Sequence, residues 1–269
     1  SQLIFSKNAG FYNQSFNLYI ESLLGDTIYY SLDGSIPNQN ANLFEDSVFI
    51  YNKNFDENYF SEFPTTPDQS LIDYPAWELP SQIINKSNII RCISYRNGEP
   101  SSKVYTQTYF VHSNIDAKYD MPIISLVTEE SNFFSADSGI YVPGIHFDEN
   151  NPHLTGNYFQ KGILWERPAH IEYFDQNGNT KFSQDAGIRI HGGKTREAAQ
   201  KSLRLYARKE YGKQYFNYSL LPNNEINQYK RFILRTTMGC WNQSIIKDVV
   251  AHNTVKNLNL ETLILNLLK

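Results

Sequence analysis

"RPAHIEYFDQNGNTKFSQDAGIRIHGG" occupies residues 167–193. Asn177-Gly178 stands between two β-rich runs, and such a pair accepts the positive φ angles of a tight hairpin turn. In the second arm Ile188 and Ile190 alternate with Arg189 and His191, the period of a half-exposed strand. "SLRLYARKEYG" (202–212) and "KRFILRTT" (230–237) alternate again, and "PIISLVT" (122–128) is a short apolar strand suited to a buried position. After Trp241 the period changes. Ile245/Val249 and Ile246/Val250 recur four apart, with Asn242 or Ser244 as N-cap, which predicts a helix over 244–258. The expected unit is α+β, a mixed sheet with a packed helix.

Upstream, residues 1–112 read as all-β. Phe16, Leu18 and Ile20 alternate with Asn17, Tyr19 and Glu21, and "TIYYSLDGSIPN" (27–38) runs an aromatic strand into the turn pair Asp33-Gly34. "IIRCISYRNGEPSSKVYTQTYFV" (89–111) is a hairpin around Asn97-Gly98. Between them a long connection carries Pro64, Pro67, Pro75 and Pro80 around Trp77, a length associated with function or with Ω-loop packing. Short strands and frequent turn signals predict a β-sandwich. The expected organisation is multidomain: a sandwich at 1–112, a linker at 113–121 and the α+β unit at 122–269.

Composition narrows the function classes. With 269 residues, 41% hydrophobic and 19% charged, the chain can bury a substantial core. A net charge of −4 argues against a general nucleic-acid coat, so any basic patch is local. No apolar run reaches about 18 residues, so no membrane span is expected. Cys92 and Cys240 form no metal spacing, and their pairing stays open. The chain starts at Ser1 without an initiator Met or a signal peptide, which suggests a processed or excised segment.

The basic run from Arg189 contains Gly192-Gly193-Lys194-Thr195, but an ordinary phosphate-binding loop would need glycine at 188, where the chain has Ile188. His146, Asp148 and His153 share one polar loop without a metal-ligand spacing, and no metal ligand is assigned.

Two resemblances add to this reading. "FSKNAGFY", "IYYSLDGSIPN", "PAWELP" and the 89–111 hairpin resemble the immunoglobulin-like C-terminal module of chitobiases and β-hexosaminidases, most specifically at Tyr30–Pro37. That resemblance implies an accessory module without catalytic residues. "MPIISLVTEESNFFSADSGIYVPG", "KGILWERPAHIEYFD", "FSQDAGIRIHGG", "KSLRLYARKEYG" and "KRFILRTTMGCWNQSIIKDVVAH" resemble, in order, the CotH family of spore-coat kinase-like proteins. His191 and Gly193 depart from that family's usual basic motif.

The second resemblance implies an atypical kinase-like fold, of which 122–269 is the N-terminal part, and Ser phosphorylation with ATP and Mg²⁺. Lys201 then corresponds to a phosphate-binding strand lysine. Arg189, Lys194 and Arg196 would line the loop over the phosphates, with Gly192 and Gly193 allowing close backbone approach. Glu166, Glu172, Asp175, Asp185 and Asp248 are the carboxylates of the matched region, none assigned to metal, and the acidic half of the site is expected beyond Lys269. Catalytic residues therefore stay unassigned, and this segment alone is expected to be inactive. Two readings stand: an extracytoplasmic bacterial CotH-like protein acting on a protein substrate or coat protein, or a non-catalytic surface protein that binds polysaccharide.

Overall fold

The structure is a computed structural model describing residues 1–220 and 226–236, together with Val250 and Thr254. It is mostly β-sheet with few helices.

In the first unit, β1 (Gly10–Tyr12), β2 (Thr27–Ser31), β3 (Asn42–Leu43), β4 (Asn88–Arg96) and β5 (Tyr105–Val111) form one sheet in the order β1-β5-β4-β2-β3. β1 runs parallel to β5, and the remaining neighbours are antiparallel. Asn97 and Gly98, with φ of 52° and 85°, turn the end of β4 back on Glu99–Pro100, as the Asn-Gly pair predicts. Two short ladders, Leu3–Phe5 with Ile20–Ser22 and Phe16–Leu18 with Val48–Ile50, supply the second layer. Their Leu3, Leu18, Ile20, Val48 and Ile50 share one core with Ile28, Ile90, Cys92 and Tyr109 of the large sheet. Cys92 is a free, buried thiol.

In the second unit, β6 (Ile123–Val127), β7 (Arg167–Phe174), β8 (Thr180–His191), β9 (Ser202–Tyr206) and β10 (Arg231–Leu234) make a five-stranded antiparallel sheet in sequence order. The alternation read from the sequence sets its faces. Ala169, Ile171 and Tyr173 of β7, Ala186, Ile188 and Ile190 of β8, and Leu203 and Leu205 of β9 build one core. The other face of β7, His170, Glu172 and Phe174, is buried too, against the first sheet. There the Thr108 hydroxyl of β5 donates to Glu172 Oε2 at 2.6 Å and shares a 2.8 Å hydrogen bond with Ser125 of β6. An antiparallel strand more often keeps one face wet.

Residues 113–121 are anchored by two buried side chains. They carry α1 (Ile115–Lys118), and Ile115 and Tyr119 join Phe110, Ile123 and Phe174 in a cluster shared by both sheets. The Asn177-Gly178 turn also reaches the first unit: a Cβ at Gly178, where φ is +78°, would lie 2.3 Å from Phe11 Cγ. Gly178→Ala is expected to lower stability by about 2–3 kcal/mol through strain and overpacking, read as a lower urea midpoint at unchanged slope. An unshifted midpoint would mean that the hairpin tip does not hold the two sheets together.

Of the expected helix over 244–258, Val250 and Thr254 are helical, with the Thr254 hydroxyl donating to the Val250 carbonyl at 2.8 Å. Cys240, Trp241, Asn242, Ser244 and Asp248 lie outside the described residues. Beyond residue 122, the described helical parts are α2 (Glu130–Phe134), short 3-10 turns and those two positions. No helix among the described residues is long and apolar enough to cross a membrane.

Candidate functional site

The outward face of β8 and β9 carries Arg189, His191, Arg204 and Tyr206, because these residues alternate with the core-facing Ile188, Ile190, Leu203 and Leu205. With Lys161 and Arg196 they line a cleft of about 190 Å³. Arg189 and Arg204 are direct cross-strand partners. Like charges at directly opposed positions repel, so the pair carries a cost that a bound anion would relieve.

The charges around the cleft are unequally satisfied. Glu166, whose side chain is 1% exposed, receives Arg189 Nε at 2.8 Å and Nη2 at 2.7 Å. It also receives Arg208 Nε at 2.8 Å and Nη2 at 3.1 Å, and the Tyr211 hydroxyl at 3.2 Å. The Tyr206 ring lies 4.7 Å from the Arg189 guanidinium and 4.8 Å from that of Arg208. Gly187 leaves room for Glu166, since a Cβ there would meet Oε1 at 2.3 Å.

Arg204 has no carboxylate partner among the described residues; its Nη2 donates to His191 Nδ1 at 2.7 Å. Burial first, then Arg204 and Arg196, push the His191 pKa down, which keeps the ring neutral and able to accept that bond. Arg196 is buried and acts as a clamp, Nε donating to Gly192 O at 2.7 Å and Nη1 to Tyr158 O at 3.1 Å. The cleft thus fits a phosphate-sized anion. It does not fit Mg²⁺, because no carboxylate among the described residues lines it. A larger, more open groove of about 390 Å³ runs between residues 54–58 and 80–86, without a comparable set of cations.

The residues that the CotH resemblance singles out fall in three places. Arg189 and Arg196 line the cleft, with Gly192 (φ +126°) and Gly193 leading into the 3-10 turn Lys194–Glu197. Lys194 turns away to pair with Asp73 of the proline-rich connection. Lys201 precedes β9 and is enclosed, at 2% exposure. Its ammonium donates to Thr65 O at 2.8 Å and Ala198 O at 2.7 Å and lies 4.3 Å from the Tyr158 ring. Burial pushes its pKa well below the ordinary lysine value.

Glu172, Asp175 and Asp185 have structural partners. Asp185 lies inside β8 and pairs with His170 Nδ1 at 2.7 Å, while Asp175 closes the hairpin, accepting from the Asn177 and Asn179 N–H groups. In the polar loop, His146 Nδ1 meets Asn157 Oδ1 at 2.8 Å and Asp148 caps its own turn at Asn150. Glu166 as the hub of the arginines, and Arg204 as the unmatched one, are absent from the candidate set read from the sequence. The signal for Arg204 is its alternation on "SLRLY", which also describes a plain solvated strand face.

No curated protein and no solved structure matches this chain significantly. Residues 18–109 match the family described as Fn3 associated, which makes that part of the chain similar to a β-sandwich-type module.

Proposed function

We propose that the Arg189–Arg204 cleft binds phosphate groups, and that residues 122–269 are the phosphate-holding part of a CotH-like, atypical kinase domain in a secreted or surface bacterial protein. The observation that carries this reading is the direct opposition of Arg189 and Arg204, with Arg204 lacking a carboxylate partner among the described residues. The ordered CotH-like motifs of the sequence support ATP as the source of those phosphates. Mg²⁺ and the base for a Ser hydroxyl would come from carboxylates other than those described around the cleft, and the target would be a protein or coat protein. The first unit would serve as an accessory module of the chitobiase type.

The test is calorimetric titration of the full chain with ATP and with pyrophosphate. Arg204→Ala is expected to weaken both about 10–100-fold, the loss of one or two charge-assisted hydrogen bonds. Lys201→Met is expected to change affinity less, since its ammonium is already occupied by carbonyls. Equal affinity in wild type and Arg204→Ala would remove the cleft as the site.

A second reading, anion or glycan binding without phosphoryl transfer, is favoured by Glu166 being fully engaged by arginines. Retention on chitin that is lost in Trp77→Ala, with no response to ATP, would select it.

A further inference from the structure

Glu197 closes the 3-10 turn Lys194–Glu197 and is completely buried, yet neither carboxylate oxygen has a hydrogen-bond partner among the described residues. The Asp73 main-chain N–H favours its ionised form without reaching bonding geometry. A buried, unpartnered carboxylate is costly and rare in a folded protein. Two further donors converge on it. His153 Nδ1 stands 4.0 Å from Glu197 Oε2, and the Asp73 carboxylate completes a set whose ligand atoms all lie within 4.8 Å of one another.

From this geometry we infer that Asp73, His153 and Glu197 form a site for a divalent transition metal of the Zn²⁺ class. One imidazole and two carboxylates are a donor set zinc accepts, with a fourth position left for water. Oxygen-only preferences make Mg²⁺ and Ca²⁺ poorer occupants. Zinc bonds of about 2.0–2.2 Å place tetrahedral donors roughly 3.4 Å apart, so the set has to contract by about 1 Å. The contraction is easy because the Asp73 and His153 side chains are more than half exposed, at 58% and 52%, while Glu197 is held by the fold.

The charged groups facing the site agree with this. Lys194 pairs with Asp73 and is half exposed, so it can swing into solvent as the ion arrives. Lys201 lies close enough to feel the Glu197 charge but gives its protons to Thr65 and Ala198 carbonyls. Burial raises the Glu197 pKa, against the opposing pull of Lys194 and His153. The three ligands come from the proline-rich connection, the 147–156 loop and the turn after Gly193. The ion would therefore tie three loops together beside Arg196.

The experiment is Zn²⁺ titration of the full chain, first stripped with a chelator, by calorimetry and thermal shift. Co²⁺ absorption serves as the geometric signature. One equivalent is expected to bind, with a rise in unfolding temperature and a four- or five-coordinate Co²⁺ spectrum. Glu197→Gln and His153→Ala are each expected to weaken binding at least tenfold, while His146→Ala leaves it unchanged. His153 is exposed, and Glu197→Gln removes an unpaired charge, so both variants are expected to fold without metal. Undiminished Zn²⁺ affinity in these two variants, or no Zn²⁺ binding by the wild type, would overturn the assignment.

Discussion

Glu166→Ala is expected to destabilise the protein by about 3–5 kcal/mol, the range for removing one partner of a buried ion pair. The carboxylate holds two guanidinium groups, Arg189 and Arg208, from different elements, with the Tyr211 hydroxyl as a fifth contact. Its removal leaves both arginines facing each other across Tyr206 and opens a void above Gly187. Urea unfolding should show a large fall in midpoint at unchanged slope. Glu166→Gln, which keeps the volume and two acceptor lone pairs, should lose less than alanine does. A loss under about 1 kcal/mol in Glu166→Ala would mean that the cluster is no stronger than an exposed salt bridge.

Glu172→Gln is expected to have its large effect through pH. Burial between the two sheets pushes the Glu172 carboxyl up to about 8, outweighing the hydrogen bonds from Thr108. An acid raised in the folded state binds more protons folded than unfolded, so its ionisation works against folding. Its contribution is intact below about pH 4.5, the unfolded value, and is lost progressively as pH climbs to about 8. Across that window the wild type should lose on the order of 3–5 kcal/mol relative to Glu172→Gln, whose amide carries no charge. Urea unfolding of both proteins at several pH values measures the difference. Parallel curves from pH 4.5 to 8.5 would show that Glu172 is hydrated or paired at the junction.

What could be read in advance was what is local. The hairpin at 167–191 and the turn at Asn97-Gly98 follow from side-chain alternation and from residues that accept positive φ, which act over a few positions. The same alternation places Arg204 and Arg189 on one face. It cannot say that Glu166 reaches back to Arg208, or that Thr65 lies over Lys201, because those partners are 42 and 136 residues apart in sequence. Lys201 shows the gap most clearly. Its position at the start of a strand suggests an available cation, while Ala198 and Tyr158 of its own unit and Thr65 of the proline-rich connection enclose it. The metal cluster is hidden for the same reason, since Asp73, His153 and Glu197 form no short-range pattern. The helix expected over 244–258 falls, apart from Val250 and Thr254, on residues outside those described.

From Ala169 to Phe174 the strand Arg167–Phe174 has no wet side, and this bears on how such a chain can be inherited. A β-sandwich that carries its own core is in principle a cassette that recombination can move between genes. Here the cassette also roofs its neighbour: without residues 1–112, His170, Glu172 and Phe174 would meet water on one side, an aromatic and an acid poised to misassociate. The pair would therefore be transmitted together, and a lineage that swapped the first module would have to rebuild the underside of the second.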